Sequence, residues 1–133
     1  MAHGGGERVT PARAAVLLGL VLLVTGTLHF AAPAPYESIV PAFLGSPAFW
    51  VYVSGVAELG CAVGLLVRRT RRPAGLATAV LFVAVFPANL QMAVDALQGD
   101  GNVVVALVRL PLQVPLIWWA WYAARPDRPP RSG

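Results

Sequence analysis

A chain of 133 residues with 57% hydrophobic and 12% charged side chains is one domain long and well below the roughly 25% charge of soluble domains. With a mean hydropathy of +0.67 it has too few polar groups to cover a soluble surface, which excludes a soluble globular enzyme, a disordered chain and a disulfide scaffold. The net charge of +4 and pI of about 10.2 do not point to nucleic acid: all ten basic residues are Arg, and nine lie in clusters bounding apolar stretches, the topogenic pattern of membrane proteins.

Residues 1–13 form a polar tail carrying Arg8 and Arg13. Four apolar stretches follow, at about residues 14–32, 47–67, 74–94 and 103–124, each near the ~20 residues that cross ~30 Å of hydrocarbon. Backbone groups in lipid must satisfy one another, so these stretches are read as helices, and nothing alternates as barrel strands do. The expected fold is an all-α, integral membrane four-helix bundle over residues 14–124, with a second tail at 125–133. Arg68, Arg69, Arg71 and Arg72 separate spans two and three, and Arg125, Arg128 and Arg131 follow span four. Connections 33–46 and 95–102 hold no Arg or Lys, only Glu37, Asp95 and Asp100. The positive-inside rule then places both termini in the cytoplasm, and an even number of spans agrees. The ends, 1–10 and 126–133, read as short disordered tails. Trp50, Tyr52, Trp118, Trp119, Trp121 and Tyr122 fall near span ends, where interfacial anchoring explains them.

Ionisable residues inside spans are costly and mark candidate sites. Here they are Glu58 and Arg109. Counting 1.5 Å per residue from the outer ends puts Glu58 ~16 Å deep, Arg109 ~9 Å, Gln113 ~15 Å, Asn89 ~8 Å and His29 ~5 Å. Every span therefore carries a polar group in the outer half of the membrane, and these five residues form the candidate polar site. Ser54, Gly55, Cys61 and Ala62 flank Glu58 on its helix face, and small residues turn that face towards the bundle. Pro87 and Pro111 lie beside Asn89, Arg109 and Gln113; their kinks are expected to bare carbonyls or open space there. An ion pair between Glu58 and Arg109, supported by Asn89 and Gln113, is the structural alternative to a ligand site. Gly60 and Gly64 form a small-xxx-small pair that packs on another helix or on a second copy in a homo-oligomer.

The chain has one cysteine, Cys61, and one histidine within a span, His29. It has no dithiol, no histidine pair for haem or a metal, no nucleotide-binding loop and no recognisable catalytic set. Any redox cofactor must come from a partner.

The ordered set Gly26-Thr27-Leu28-His29-Phe30, Pro41, Ser54-Gly55-Val56-Ala57-Glu58-Leu59, Gly64-Leu65-Leu66, Phe86-Pro87-Ala88-Asn89 and Arg109-Leu110-Pro111-Leu112-Gln113 resembles the DoxX family of small four-helix bacterial membrane proteins, from about residue 26 to 125. The resemblance implies a multi-pass protein of the bacterial inner membrane. Relatives are named for a small subunit of a thiosulfate:quinone oxidoreductase or are linked to membrane oxidoreductase complexes. The expected role is an accessory or anchor subunit of a quinone-linked oxidoreductase, not catalytic alone, with the lipid bilayer and a membrane or peripheral oxidoreductase as partners and quinone as the ligand of the polar site. Two alternatives stand beside it: a small proton-coupled transporter using Glu58, and a purely structural or assembly protein.

Overall fold

The computed structural model describes residues 8–99 and 101–127. The outermost tail residues, with Arg128 and Arg131, and the loop residue Asp100 lie outside the described residues. Helix α1 runs Pro11–Ala31, opened by Pro11 and by Thr10, whose hydroxyl accepts from the Arg13 N–H. A four-residue helix, α2 (Ala34–Glu37), and a 3-10 turn (Ala42–Leu44) occupy the first connection. Ser46 caps α3, Pro47–Leu66. The third apolar stretch is two helices, α4 (Arg71–Ala84) and α5 (Phe86–Leu97). Asn102 caps α6, Val103–Ala123, through the Val105 N–H.

The chain is helical, and no strand occurs among the described residues. Four stretches, Pro11–Ala31, Pro47–Leu66, Arg71–Leu97 and Val103–Ala123, are long and apolar enough to cross a membrane. The third is interrupted at Val85, two residues before Pro87. Proline removes one ladder donor and disfavours helical backbone in the residue before it. In α6, Pro111 and Pro115 leave the helix continuous.

Packing closes a ring: α1 lies against α3 and α6, and α4 lies against the same two. The main core sits at the end of the bundle where α1 begins and α6 ends. Leu18, Leu22, Leu65 and Thr78 are fully buried there, among Ala14, Ala15, Ala62, Ala120 and Ala123. Alanine-rich faces let backbones approach closely, which is how helices gain contact when lipid is as apolar as leucine. Trp119 Nε1 donates to the Ala14 carbonyl at 2.9 Å and the Tyr122 hydroxyl to the Val9 carbonyl at 2.6 Å, so these aromatics tie α6 to α1. The exterior is aliphatic: Val24, Val56, Val80 and Val114 are 62–70% exposed, a surface compatible with lipid contact.

At the other end the bundle divides into pairs. Helix α5 packs on α6 around Ala93, Ala96 and Ala106, and α1 packs on α3. The polar residues fall into these two pairs separately.

Candidate functional site

Two glycines bring α1 and α3 together at the site. A Cβ built at Gly26 would lie 3.2 Å from the Glu58 Cβ, and one built at Gly55 would lie 2.9 Å from the His29 Cβ. Each glycine therefore makes room for two neighbours on the opposite helix, Leu59 and Glu58 at Gly26 and Phe30 and His29 at Gly55. His29 and Thr25 are four apart on α1 and share a face, which meets Glu58 of α3.

The result is a carboxylate–imidazole pair. His29 Nδ1 stands 3.2 Å from Glu58 Oε2, with both side chains about nine-tenths buried (11% and 12% exposed). The Thr25 hydroxyl donates to Glu58 Oε1, and His29 Nδ1 is also 2.8 Å from the Thr25 carbonyl oxygen. A carbonyl oxygen can only accept, so Nδ1 carries a proton whether the ring is neutral or charged. In the neutral ring Nε2 is then an acceptor. Nε2 has no hydrogen-bond partner among the described residues, and no side-chain nitrogen or oxygen there is both fully buried and unpartnered; Nε2 therefore keeps accessible surface. The Tyr36 ring of α2 stacks on the imidazole, centroids 3.9 Å apart and planes 21° apart. The arrangement resembles a base with its orienting carboxylate, the ring fixed by one nitrogen and open at the other.

Asn89, Gln113 and Arg109 lie on the other pair of helices. Asn89 Nδ2 donates to Gln113 Oε1, and Gln113 Nε2 donates to the Phe82 carbonyl beside the break in the third span. These two amides, 9% and 4% exposed, hold the α4–α5 break against α6. Arg109 is exposed, its Nη1 3.8 Å from the Met92 sulfur, and Asp95 accepts from Gln91 Nε2 at 2.7 Å. The structure thus does not pair Glu58 with Arg109. Helix α6 meets α1 at Trp119 and Tyr122, and Arg109 is ten residues earlier, ~15 Å along the helix, where α6 faces α5. Thr25 and Tyr36 are site residues absent from the sequence-based set; Thr25 is signalled by its four-residue spacing from His29, while Tyr36 carries no local signal. Among the described residues no group of three or more His, Cys, Asp or Glu is placed to hold a metal.

Residues 18–124 match the model of a family described as a domain of unknown function, DUF8561. The chain belongs to that family. No curated protein and no solved structure matches it. The matched segment of this DUF8561 member contains all four apolar helical stretches in whole or in large part, and every residue of both polar clusters.

Proposed function

We propose that this DUF8561 protein is a multi-pass accessory or anchor subunit of a quinone-linked oxidoreductase system in the bacterial cytoplasmic membrane, with both termini in the cytoplasm, and that His29 and Glu58 bind a quinol. The observation that carries the reading is the His29–Glu58 pair inside an apolar bundle, with Nε2 left as an accessible acceptor. Clustered arginines at the chain ends and between α3 and α4 support the orientation, and the resemblance to the DoxX family supports the setting. Arg109 and Asn89, also expected as ligands for a quinone carbonyl, lie on the other helix pair and are not assigned to the ligand.

The donor set fits the reduced form. A quinol presents hydroxyl donors, which a neutral His29 accepts at Nε2; a quinone presents carbonyl acceptors, which leave Nε2 unmatched. A bound quinol supplies two electrons and two protons on oxidation. Nε2 takes one proton from the hydroxyl it holds, and the proton of the other hydroxyl is released to bulk water. Glu58 balances the imidazolium charge at Nδ1, and Thr25 fixes the carboxylate and, through its carbonyl, the ring. With one cysteine and two histidines in the chain, the electron acceptor is the redox cofactor of a partner protein.

The test is calorimetric titration of the protein in lipid nanodiscs with a short-tailed benzoquinol and with its oxidised form. The quinol is expected to bind at least about tenfold more tightly, the worth of one buried hydrogen bond that the quinone leaves unmade. His29→Phe is expected to abolish that preference. Equal binding of the two forms, or a preference that survives in His29→Phe, would overturn the ligand assignment. Purification from native membranes in mild detergent tests the subunit role: a stoichiometric flavin- or haem-containing partner is expected, and a colourless preparation with no partner would count against it.

A further inference from the structure

A second feature lies on the lipid-facing side of α3 and α4, apart from the His29–Glu58 pair. A groove of about 870 Å³ runs between these helices, walled by Ala57, Gly60 and Val67 on one side and Pro73, Ala77 and Ala84 on the other. Its volume is within the ~300–1,000 Å³ of ligand sites, and its walls are aliphatic. On this face the helices meet at the Gly64 end. A Cβ at Gly64 would lie 2.7 Å from the Ala74 Cβ, whereas one at Gly60 would have nothing within 4 Å. From that contact the two helices splay apart. The groove extends from Val67 to Ala57, ten residues or ~15 Å, half the ~30 Å hydrocarbon thickness. It is as long as one leaflet.

Its closed end lies at the α3–α4 turn, where Val67, Thr70 and Pro73 line it and are interleaved with Arg68, Arg69, Arg71 and Arg72. The turn is held: Thr70 Oγ1 donates to the Gly64 carbonyl at 2.9 Å and Arg71 Nε to the Leu65 carbonyl at 3.0 Å. Arg68, Arg69 and Arg72 are exposed, and no ion pair or hydrogen bond occupies their side chains among the described residues. We infer that the α3–α4 groove and its arginine turn form a binding site for an anionic phospholipid, one acyl chain in the groove and the phosphate on the exposed guanidinium groups.

Charge selects this occupant. Guanidinium forks match phosphate oxygens, and basic clusters flanking membrane helices attract anionic lipid. A second copy in the same orientation would set two four-arginine turns against each other, and Gly64 is already occupied by Ala74. The small-xxx-small pair is thereby divided, Gly64 packing within the chain and Gly60 opening on the groove.

The experiment is native mass spectrometry of the full chain, equilibrated in mild detergent with equal amounts of phosphatidylglycerol and phosphatidylcholine of matched acyl chains. The wild type is expected to retain one phosphatidylglycerol in preference. The triple variant Arg68→Gln, Arg69→Gln, Arg72→Gln spares the structural Arg71. It is expected to lose roughly fivefold in preference for each arginine removed, about a hundredfold in all. Gly60→Leu fills open space, so it is expected to keep helicity and to lose the retained lipid. Ala77→Leu, on the opposite wall, serves as a second filling variant should Gly60→Leu fail to fold. Equal retention of both lipids by the wild type, an unchanged preference in the triple variant, or a lipid-free dimer would overturn the inference. So would wild-type retention in the folded filling variants, which would reduce the effect to diffuse attraction by surface charge.

Discussion

Replacing Glu58 by Leu separates a working carboxylate from a structural lock. Loss of a buried carboxylate is damaging when its partners are stranded, at about 1–3 kcal/mol for each unsatisfied group. Here neither partner is stranded. The Thr25 hydroxyl keeps the Val21 carbonyl at 3.1 Å, and His29 Nδ1 keeps the Thr25 carbonyl at 2.8 Å. Leucine retains the Cβ that lies against Gly26. Interhelical polar contacts in membranes contribute about 0.6 kcal/mol on average and up to about 1.7, and a neutral His29 leaves no uncompensated buried charge when Glu58 is removed. The expected change is therefore within about 1 kcal/mol of zero. Reversible unfolding from bicelles into SDS, followed by far-UV circular dichroism, measures it, and quinol titration of the same sample is expected to show strongly weakened binding. A destabilisation above about 3 kcal/mol would refute the reasoning and make Glu58 a structural residue.

Gln113→Leu in the same assay is expected to cost about 1–3 kcal/mol, because it strands the Asn89 amide and the Phe82 carbonyl, and to leave quinol affinity unchanged. Gly55→Ala places a methyl 2.8 Å from the Phe30 ring and 2.9 Å from the His29 Cβ; it is expected to destabilise by about 1–3 kcal/mol and to weaken quinol binding by displacing the imidazole. Gly75→Ala sets a methyl 2.9 Å from the backbone N and Cα of Ala124, atoms that move only if α4 and α6 separate. A net loss of about 1–3 kcal/mol is expected from that overpacking, with the ligand affinity per folded molecule retained.

The four apolar helices are legible in the sequence because hydrocarbon thickness sets both the length and the composition of a spanning helix. The grouping of the polar residues is less so. Depths counted from span ends set His29 and Glu58 ~11 Å apart, yet they touch. The count assumes level helix ends, whereas Gly55 lies opposite His29, so the eight residues of α3 before Gly55, ~12 Å, run past the end of α1 at Ala31. Arg109 shares a face with Gln113 by spacing, but one turn of helix carries it from the buried amide pair to the exposed Met92 contact. Pairing across helices depends on which helices adjoin at each depth, and a hydropathy pattern does not encode that. Pro87 is legible as a break; that Gln113 takes the Phe82 carbonyl nearby depends on tertiary packing.

The most direct measurement of the central claim is ¹⁵N NMR of the His29 ring. The chain has two histidines, His3 and His29, so ¹⁵N-histidine labelling in a His3→Ala background leaves one imidazole to observe. The expected spectrum of the neutral ring shows Nδ1 protonated and Nε2 as an unprotonated acceptor, with the Nε2 resonance shifting on addition of benzoquinol and not of benzoquinone. A proton on Nε2 in the neutral ring, or an Nε2 resonance unmoved at saturating quinol, would contradict the account.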